Sequence, residues 1–287
     1  MKLAVTYMND IDVHTLKTAG ADAVILGIER FSMRMASPIP LDALADTVRA
    51  IHAQHLECWV TMNAPIHEAD LDAMEAALKQ VLDAGVDNVL FADLAVLAAA
   101  GPDKKRLIYH PETYATDVGD NRFYANEGIA GIVAGRELTI DAIEAMAEGP
   151  LPLLVVGHGH SPMFHSRRPL VEHYFEHTGD ADADIIKTKK TLTLVEESRQ
   201  EAYPIVQDAF GTHVFRANPT ASFTVLKRLS KVVDTLIIDG LWLTPGDIVQ
   251  TVSDYRAALS DKPLSANYES CDDGFYFKKT VALKEDA

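Results

Sequence analysis

Short apolar runs with the composition of β-strands alternate with amphipathic stretches along most of the chain. Eight of these runs are rich in Val, Ile, Leu and aromatic residues, and they lie at 3–6, 23–26, 57–61, 88–91, 107–110, 131–133, 153–156 and 235–238. Nearly continuous apolar strands separated by helices are typical of a parallel sheet covered by helices. Eight of them predict an α/β fold, a closed (β/α)8 TIM-like barrel.

The stretches between the predicted strands have helical spacing. Leu41, Leu44, Val48 and Ile51 recur at intervals of three and four residues, which places them on one face of a helix. Thr139 is a typical residue to precede a helix. The sequence therefore supplies the helices that a barrel needs between its strands.

Two parts of the chain depart from this alternation. Residues 178–218 are polar and rich in Thr, Asp and Lys, which predicts an insertion with short strands before the last barrel strand. From Pro263 onward the Ser, Asn and Asp content predicts a tail, and the aromatic run 275–277 predicts that the tail packs on the barrel. We therefore expect one barrel domain at 1–262, including the insertion, followed by a packed C-terminal tail at 263–287.

Composition narrows the classes of function. The formal net charge is -16, from 26 Lys and Arg against 42 Asp and Glu, and this disfavours tight binding of nucleic acid without a partner. The start of the chain has no apolar segment of the kind that a signal peptide needs, and no run is long enough to span a membrane. Two cysteines, Cys58 and Cys271, are too few for a disulfide framework. We expect a cytoplasmic protein without a membrane partner.

Polar residues just after the predicted strands are the candidates for a site, because active sites of parallel barrels lie at the carboxyl ends of the strands. Several polar residues occupy such positions, among them Arg30, Asp93, His110 and Asp239. We expect catalytic roles for His158, His160, His165, Glu112 and Glu137. We expect substrate-binding roles for Arg34, Asn63, Arg136 and Arg168. Arginines in this set could hold a carboxylate or a phosphate.

The densest candidate segment is GHGHSPMFHSRR at 157–168, and it has three interpretations. His158 and His160 could bind a divalent metal, with a nearby carboxylate as a further ligand. The histidines could instead titrate near neutral pH as general acids or bases, or clamp an anion together with arginines. They could also be solvated, or hydrogen-bonded to the backbone, without a chemical role. The residue pattern leaves these alternatives open.

Several motifs together resemble a known family. They are GADAVILG at 20–27, FSMR at 31–34, VTMN at 60–63, GVDNVLFAD at 85–93, RELTIDAI at 136–143, HG at 158–159, YPIVQDAFGTHVF at 203–215 and LIIDG at 236–240. In this order they resemble the collagenase-like peptidase family, peptidase family U32, over nearly the whole chain. Some members of that family are similar to proteins that hydroxylate nucleic-acid bases or quinone precursors, often with an iron–sulfur cluster.

This chain departs from the cluster-bearing members of the family. Aligned on the HG motif, the first two cysteine positions fall on Pro162 and Pro169, and the segment from there to Phe215 contains no cysteine. Thiolates are the ligands that such clusters need, so we expect no iron–sulfur cluster in this chain. Strand eight also departs, because it reads IIDGL at 237–241 where the family usually has a Lys, an acidic residue and an Arg.

The departures, the short chain and DDGFYFKKT at 272–280 resemble a small-subunit branch of the family. That resemblance implies participation in hydroxylation of the tRNA wobble uridine with prephenate as a cosubstrate. It also implies a longer, cluster-bearing paralogue as partner, through which the complex binds tRNA. Two alternatives remain: a peptidase, metal-assisted through His158 and His160 with Glu112 or Glu137 activating water, and a scaffold subunit without catalysis.

Overall fold

The computed structural model describes residues 1–179, 192–197 and 201–278. The strands are β1 Lys2–Thr6, β2 Ala23–Gly27, β3 Glu57–Met62, β4 Asn88–Phe91, β5 Leu107–Tyr109, β6 Gly131–Val133, β7 Leu153–Gly159, β8 Pro162–Ser166, β9 Thr193–Val195, β10 Ala202–Asp208, β11 Gly211–Phe215, β12 Thr220–Ala221 and β13 Thr235–Ile238. The helices are α1 Val13–Ala19, α2 Leu44–Ala53, α3 Leu71–Asp83, α4 Leu94–Ala99, α5 Val118–Glu127, α6 Ile140–Met146, α7 Leu170–Thr178, α8 Leu226–Val232 and α9 Pro245–Ala258.

Eight parallel strands close into a barrel, as the sequence predicts. They pair in the order β1, β2, β3, β4, β5, β6, β7 and β13, and β13 pairs with β1 to complete the ring. Each of the eight predicted runs forms one of these strands. The short strand β12 adds to β7 in the antiparallel direction. The predicted TIM-like α/β fold is confirmed.

The barrel has two apolar layers, because successive residues of a strand point to opposite faces of the sheet. Leu3 and Val5 of β1 belong to the layer between strands and helices, whereas Ala4 belongs to the layer that fills the barrel interior. Interior side chains come from every barrel strand, and they are Ala4, Ala23, Ile25, Trp59, Leu90, Ile108, Val133, Leu154 and Ile237. A side chain two positions after the last interior residue of a strand therefore points toward the mouth of the barrel.

A second sheet combines one strand that precedes the predicted insertion with three strands that lie within it. This antiparallel sheet has the order β8, β11, β10 and β9, and β8 follows β7 directly, at Pro162. Residues 180–191 and 198–200 of the predicted insertion lie outside the described part of the chain. Pro162 and Phe215 of this sheet line the cavity at the barrel mouth. The sheet therefore covers part of the site that the strand ends form.

The C-terminal tail contacts the barrel through its backbone and through aromatic side chains, among them Tyr268, whose hydroxyl donates to Asp254 at 3.0 Å. The amide of Ile140 donates to the carbonyl of Tyr276 at 3.0 Å, and Tyr276 is buried. Phe277 is exposed, and residues 279–287 of the predicted tail lie outside the described part. Among the described helices, none is long and apolar enough to cross a membrane.

Candidate functional site

The mouth of the barrel collects polar side chains that continue the interior positions of four strands. These are Thr6 after Ala4, Asn63 after Trp59 and Thr61, His110 after Ile108, and Asp239 after Ile237. All of them line a small cavity of about 40 Å³. Because a strand alternates its faces, the same periodicity that fills the core places these groups at one point.

Glu112 is the centre of a network of ion pairs in this cavity. Its Oε1 accepts a hydrogen bond from Nη2 of Arg34 at 2.7 Å, and its Oε2 accepts one from Nε of Arg136 at 2.7 Å. Arg136 also donates from Nη2 to Oδ2 of Asp239 at 3.2 Å, and from Nη1 to the carbonyl of His160 at 3.4 Å. Arg136 thus joins three separate segments of the mouth.

The charges of this network compensate one another before any ligand binds. Burial by itself would raise the pKa of Glu112, but the guanidinium groups of Arg136 and Arg34 outweigh it and hold that pKa far below its ordinary value. Burial lowers the pKa of His110, whose ring lies 3.9 Å from the Glu112 carboxylate. Two guanidinium groups face two carboxylates, so the network has no formal net charge. An anionic ligand at these arginines therefore meets guanidinium groups that are already paired with Glu112 and Asp239.

Two residues of the network have a backbone conformation that is unusual outside glycine. Arg34 has a φ of 59° and Glu112 a φ of 70°, both in the left-handed region. Such conformations cost roughly 1–3 kcal/mol each and persist where surrounding contacts hold them. The amide of Arg136 donates to the carbonyl of Glu112 at 3.1 Å, and the amide of Arg34 donates to Asp208 at 3.1 Å. The backbone is thus held in the form that brings both side chains together.

Asn63 supports the loop that carries Arg34. Its Oδ1 accepts from the amide of Met33 at 3.0 Å, and its Nδ2 donates to the carbonyl of the same residue at 3.5 Å. Asn63 also lines the cavity, and only 6% of its surface is exposed. The structure therefore places this predicted binding residue at the site, with its amide engaged by the protein.

The described structure separates His158 from the barrel mouth. In the pairing of β7 with β13, Ile237 pairs with Val156 and Ile238 pairs with His158, so Gly157 is an extra residue on β7. Such a bulge moves the following side chains to the other face of the sheet. His158 consequently points toward the helices, where its Nδ1 lies 3.5 Å from the hydroxyl of Tyr255.

This placement puts His158 in a buried environment, which disfavours its charged form. The ring is 2% exposed, and burial, with a smaller effect of His160, lowers the pKa of His158 to about 4. The hydroxyl of Tyr255 also donates to the carbonyl of Gly157 at 2.9 Å, so the carbonyl at the bulge has a hydrogen-bond partner. The environment of His158 fits a packing role between β7 and α9 better than proton transfer at the barrel mouth.

We expect His158 to stay neutral throughout the neutral pH range. Its imidazolium would lie in an apolar environment, so the ring should gain a proton only near pH 4. Proton-detected NMR of the imidazole groups between pH 8 and about pH 3 would measure the pKa of His158. A pKa at the ordinary value of 6.5 would contradict the placement.

The remaining predicted residues lie outside the Glu112 network. Nδ1 of His160 donates to the carbonyl of Arg216 at 2.8 Å, and burial lowers the pKa of His160. His165 is exposed on β8 and Arg168 is exposed between β8 and α7, and the ring of His165 stacks on His213 with centroids 4.7 Å apart. Glu137 is exposed beside the network and lines a separate cavity of about 110 Å³. The backbone carbonyl of His160 accepts from Arg136. Among the described residues, no side-chain hydrogen bond joins His165, Arg168 or Glu137 to the Glu112 network.

The side chains at the predicted metal pair, His158 and His160, do not form a ligand set with other described side chains. Within residues 1–179, 192–197 and 201–278, no three His, Cys, Asp or Glu side chains come together in a form that could hold a metal ion. His158 and His160 are engaged by Tyr255 and by the carbonyl of Arg216, respectively. The described residues therefore give no support to the predicted metal pair.

Sequence reasoning missed groups that complete the site. Asp239 and His110 were candidates by position, but the spacing gave no reason to prefer them to Glu137 or His165. Nε2 of His110 is buried and has no hydrogen-bond partner among the described residues. Counting interior positions two at a time from Ile108 and Ile237 would have found both. Asp208 lies far away along the chain, and no local pattern indicates its contact with Arg34.

A second, larger space adjoins the network. A cleft of about 420 Å³ lies between the insertion and the loops after β1, β2 and β13, and it shares Arg34 and Met35 with the inner cavity. Asp10, Asp208 and Trp242 also line it. Arg34 thus stands between a cleft large enough for a small organic ligand and the ion network.

The family model described as Peptidase family U32 matches residues 11–281. This chain belongs to peptidase family U32. The solved structure of the U32 peptidase Mk0906 has a similar fold, with a TM-score of 0.50 and 13% identity over 83% of this chain and 92% of that one. At this level of identity the likeness shows the fold alone.

Proteins similar in sequence to this U32 chain include several that are named for the hydroxylation of RNA. The chain is 29% identical to tRNA hydroxylation protein P2 of Bacillus subtilis, over 98% of both chains. It is 22% identical to tRNA hydroxylation protein P of Escherichia coli, over 84% of this chain and 64% of that protein. It is 28% identical to the 23S rRNA 5-hydroxycytidine C2501 synthase of Escherichia coli, over 44% of this chain and 19% of the synthase. These likenesses support a role related to hydroxylation.

The cysteines of this U32 chain do not fit the iron–sulfur cluster that the resemblance associates with longer members. Only Cys58 and Cys271 are present in the sequence. Cys58 is buried in β3, and burial, assisted by the charge of Asp87, raises the pKa of its thiol to about 12. A cluster held by four thiolates cannot form from these two residues.

Proposed function

We propose that this protein takes part in the hydroxylation of the wobble uridine of tRNA, beside a longer, cluster-bearing paralogue of the same family. The observation that carries the proposal is the match to tRNA hydroxylation protein P2, which covers 98% of both chains. The formal net charge of -16 agrees with a subunit that leaves most RNA contacts to its partner. The resemblance further implies prephenate as the cosubstrate.

The geometry supports a site in this chain rather than a scaffold alone. Arg34, Glu112, Arg136 and Asp239 are mostly buried at the strand ends, which is where barrels of this kind place their chemistry. A stable fold does not need four ionised groups at its mouth, because apolar residues of similar volume stabilise such positions equally well. We infer that Arg34 and Arg136 contact the carboxylate of a ligand when Glu112 or Asp239 gives up a hydrogen bond.

The roles of the other predicted residues follow from their placement. We propose that Asn63 orients the loop of Arg34, and that His160 helps to hold Arg136 through its carbonyl. Glu137, His165 and Arg168 face solvent, so contact with a partner or with RNA suits them better than proton transfer in the cavity. The metal-assisted peptidase alternative is not favoured by any contact among the described side chains.

Loss of this gene should lower the amount of hydroxylated wobble uridine in tRNA. We expect complementation with the wild-type gene to restore the modification and complementation with Arg136→Gln to restore less than about a tenth of it, since glutamine cannot make the charged contacts to Glu112 and Asp239. Mass spectrometry of tRNA nucleosides measures both results.

The matched control for that variant is Arg228→Gln. Arg228 also bridges two carboxylates, Asp141 and Glu144, but on the exposed surface. Full complementation by Arg228→Gln and failure by Arg136→Gln would support a site at the mouth. Unchanged modification in the deletion strain would refute the proposed function. Full complementation by Arg136→Gln would instead favour a scaffold.

A further inference from the structure

Asp208 connects the antiparallel sheet to the ion network. It ends strand β10, and its Oδ2 accepts a hydrogen bond from the backbone amide of Arg34 at 3.1 Å. Its Oδ1 accepts from the amide of Phe210 at 2.8 Å and lies 3.0 Å from Nε2 of His213. One carboxylate thus joins a hairpin turn, a buried histidine and the loop that carries Arg34.

The loop needs such an anchor because Arg34 has a left-handed backbone. With a φ of 59°, this residue has a conformation that non-glycine residues adopt only at a cost. The conformation directs its guanidinium to Glu112, at 2.7 Å. A hydrogen bond from the amide of the same residue to a carboxylate stabilises this form directly.

The anchor itself is held rigidly. His213 is fully buried in strand β11, and the four pairs between β10 and β11 run from Ile205 and Val214 to Asp208 and Gly211. The ring of His213 stacks on that of His165, with an interplanar angle of 5°. A carboxylate fixed on both sides by its own hairpin can impose a position on a neighbouring loop.

We propose that Asp208 is a positioning residue, which holds Arg34 in the left-handed conformation that directs its guanidinium to Glu112. The antiparallel sheet is thereby a part of the site, although it supplies no group to the network itself. The proposal rests on the proposed function for its effect on activity, but the geometry of Arg34 can be measured without any assay of activity.

The test variant is Asp208→Asn. An amide has one acceptor oxygen, so asparagine can accept from Arg34 or from Phe210, but its amino group then faces the other donor. We expect hydrogen exchange of the Arg34 amide to become about tenfold faster or more, because the loss of a hydrogen bond to a charged group weakens the closed form. We also expect a loss of tRNA modification of about tenfold.

Asp87→Asn is the matched control. Asp87 has a similar set of contacts, since its carboxylate accepts from the amide of Cys58 at 2.7 Å and lies 2.9 Å from Nε2 of His52. It precedes β4 and therefore lies at the opposite end of the barrel from the mouth. We expect this variant to keep the modification and the slow exchange of the Arg34 amide.

A double variant separates positioning from a general structural role. If Asp208 acts through Arg34, Asp208→Asn should cause no further loss of modification once Arg34→Gln is present. Additive losses, or unchanged exchange of the Arg34 amide in Asp208→Asn, would overturn the proposal. Faster exchange with full modification would show that the position of Arg34 does not matter for function and would overturn it as well. If deletion of the gene leaves modification unchanged, the proposed function fails, and the exchange rates alone decide whether Asp208 positions Arg34.

Discussion

Replacement of Glu112 by glutamine is expected to lower the free energy of unfolding by about 3 kcal/mol, because removal of one partner leaves buried charges uncompensated. Glu112 is 13% exposed and accepts hydrogen bonds from two guanidinium groups. In Glu112→Gln, Arg34 would lose its ion pair with Glu112 and Arg136 would keep only that with Asp239, while the amino group of glutamine would face one of the two guanidinium groups. Urea unfolding followed by circular dichroism measures the change.

The control for this effect is Glu144→Gln. Glu144 also pairs with an arginine, Arg228 at 2.7 Å, but both side chains are about two-fifths exposed. Exposed pairs contribute roughly 0–1 kcal/mol, so this variant should unfold almost as the wild type does. Equal losses in both variants would contradict the view that the network at the mouth is a buried ionic cluster.

Acid should remove the difference between the wild type and Glu112→Gln. The folded-state pKa of Glu112 is below its ordinary value of 4.5, so the carboxylate contributes stability above that pH. The contribution is lost as the pH falls from 4.5 toward the folded-state value. We therefore expect the two free energies of unfolding to converge on acidification below pH 4.5. A constant difference between pH 7 and pH 3 would contradict this cause.

The barrel could be predicted because each strand carries its own signal. Ala4, Ile108 and Ile237 alternate with residues that face the helices, and this alternation is visible in the sequence. The same counting extends to His110 and Asp239 at the mouth. Local periodicity thus determines both the core and the first polar residues beyond it.

The position of His158 could not be predicted, because one residue changes the count. Val156 is interior, so alternation would place His158 in the barrel, but the bulge at Gly157 turns it toward Tyr255. The bulge is stabilised by contacts with α9, about a hundred residues away in the chain. Likewise, Asp208 reaches Arg34 only in the folded chain. Partners of this kind leave no pattern in one sequence.

Gly159, the glycine of the HG motif, lies just after the bulge in β7, where any larger residue would be both strained and crowded. Gly159 has a φ of 121°, which other residues rarely adopt, and a Cβ there would lie 2.5 Å from the carbonyl oxygen of Asp239. Either β7 or the loop after β13 would have to move in Gly159→Ala. We expect a loss of more than about 3 kcal/mol in the free energy of unfolding, since backbone strain and a backbone clash add.

Gly128→Ala separates these two contributions. Gly128 also has a positive φ, at 80°, but a Cβ there would meet no described atom within 4 Å. This variant has the strain without the clash, so it should lose about 1 kcal/mol. Urea unfolding of both variants gives the comparison, and equal losses would contradict the close approach of Gly159 to Asp239. A greater loss in Gly159→Ala, together with reduced tRNA modification, would tie the motif to the position of Asp239 and hence to its contact with Arg136 at 3.2 Å.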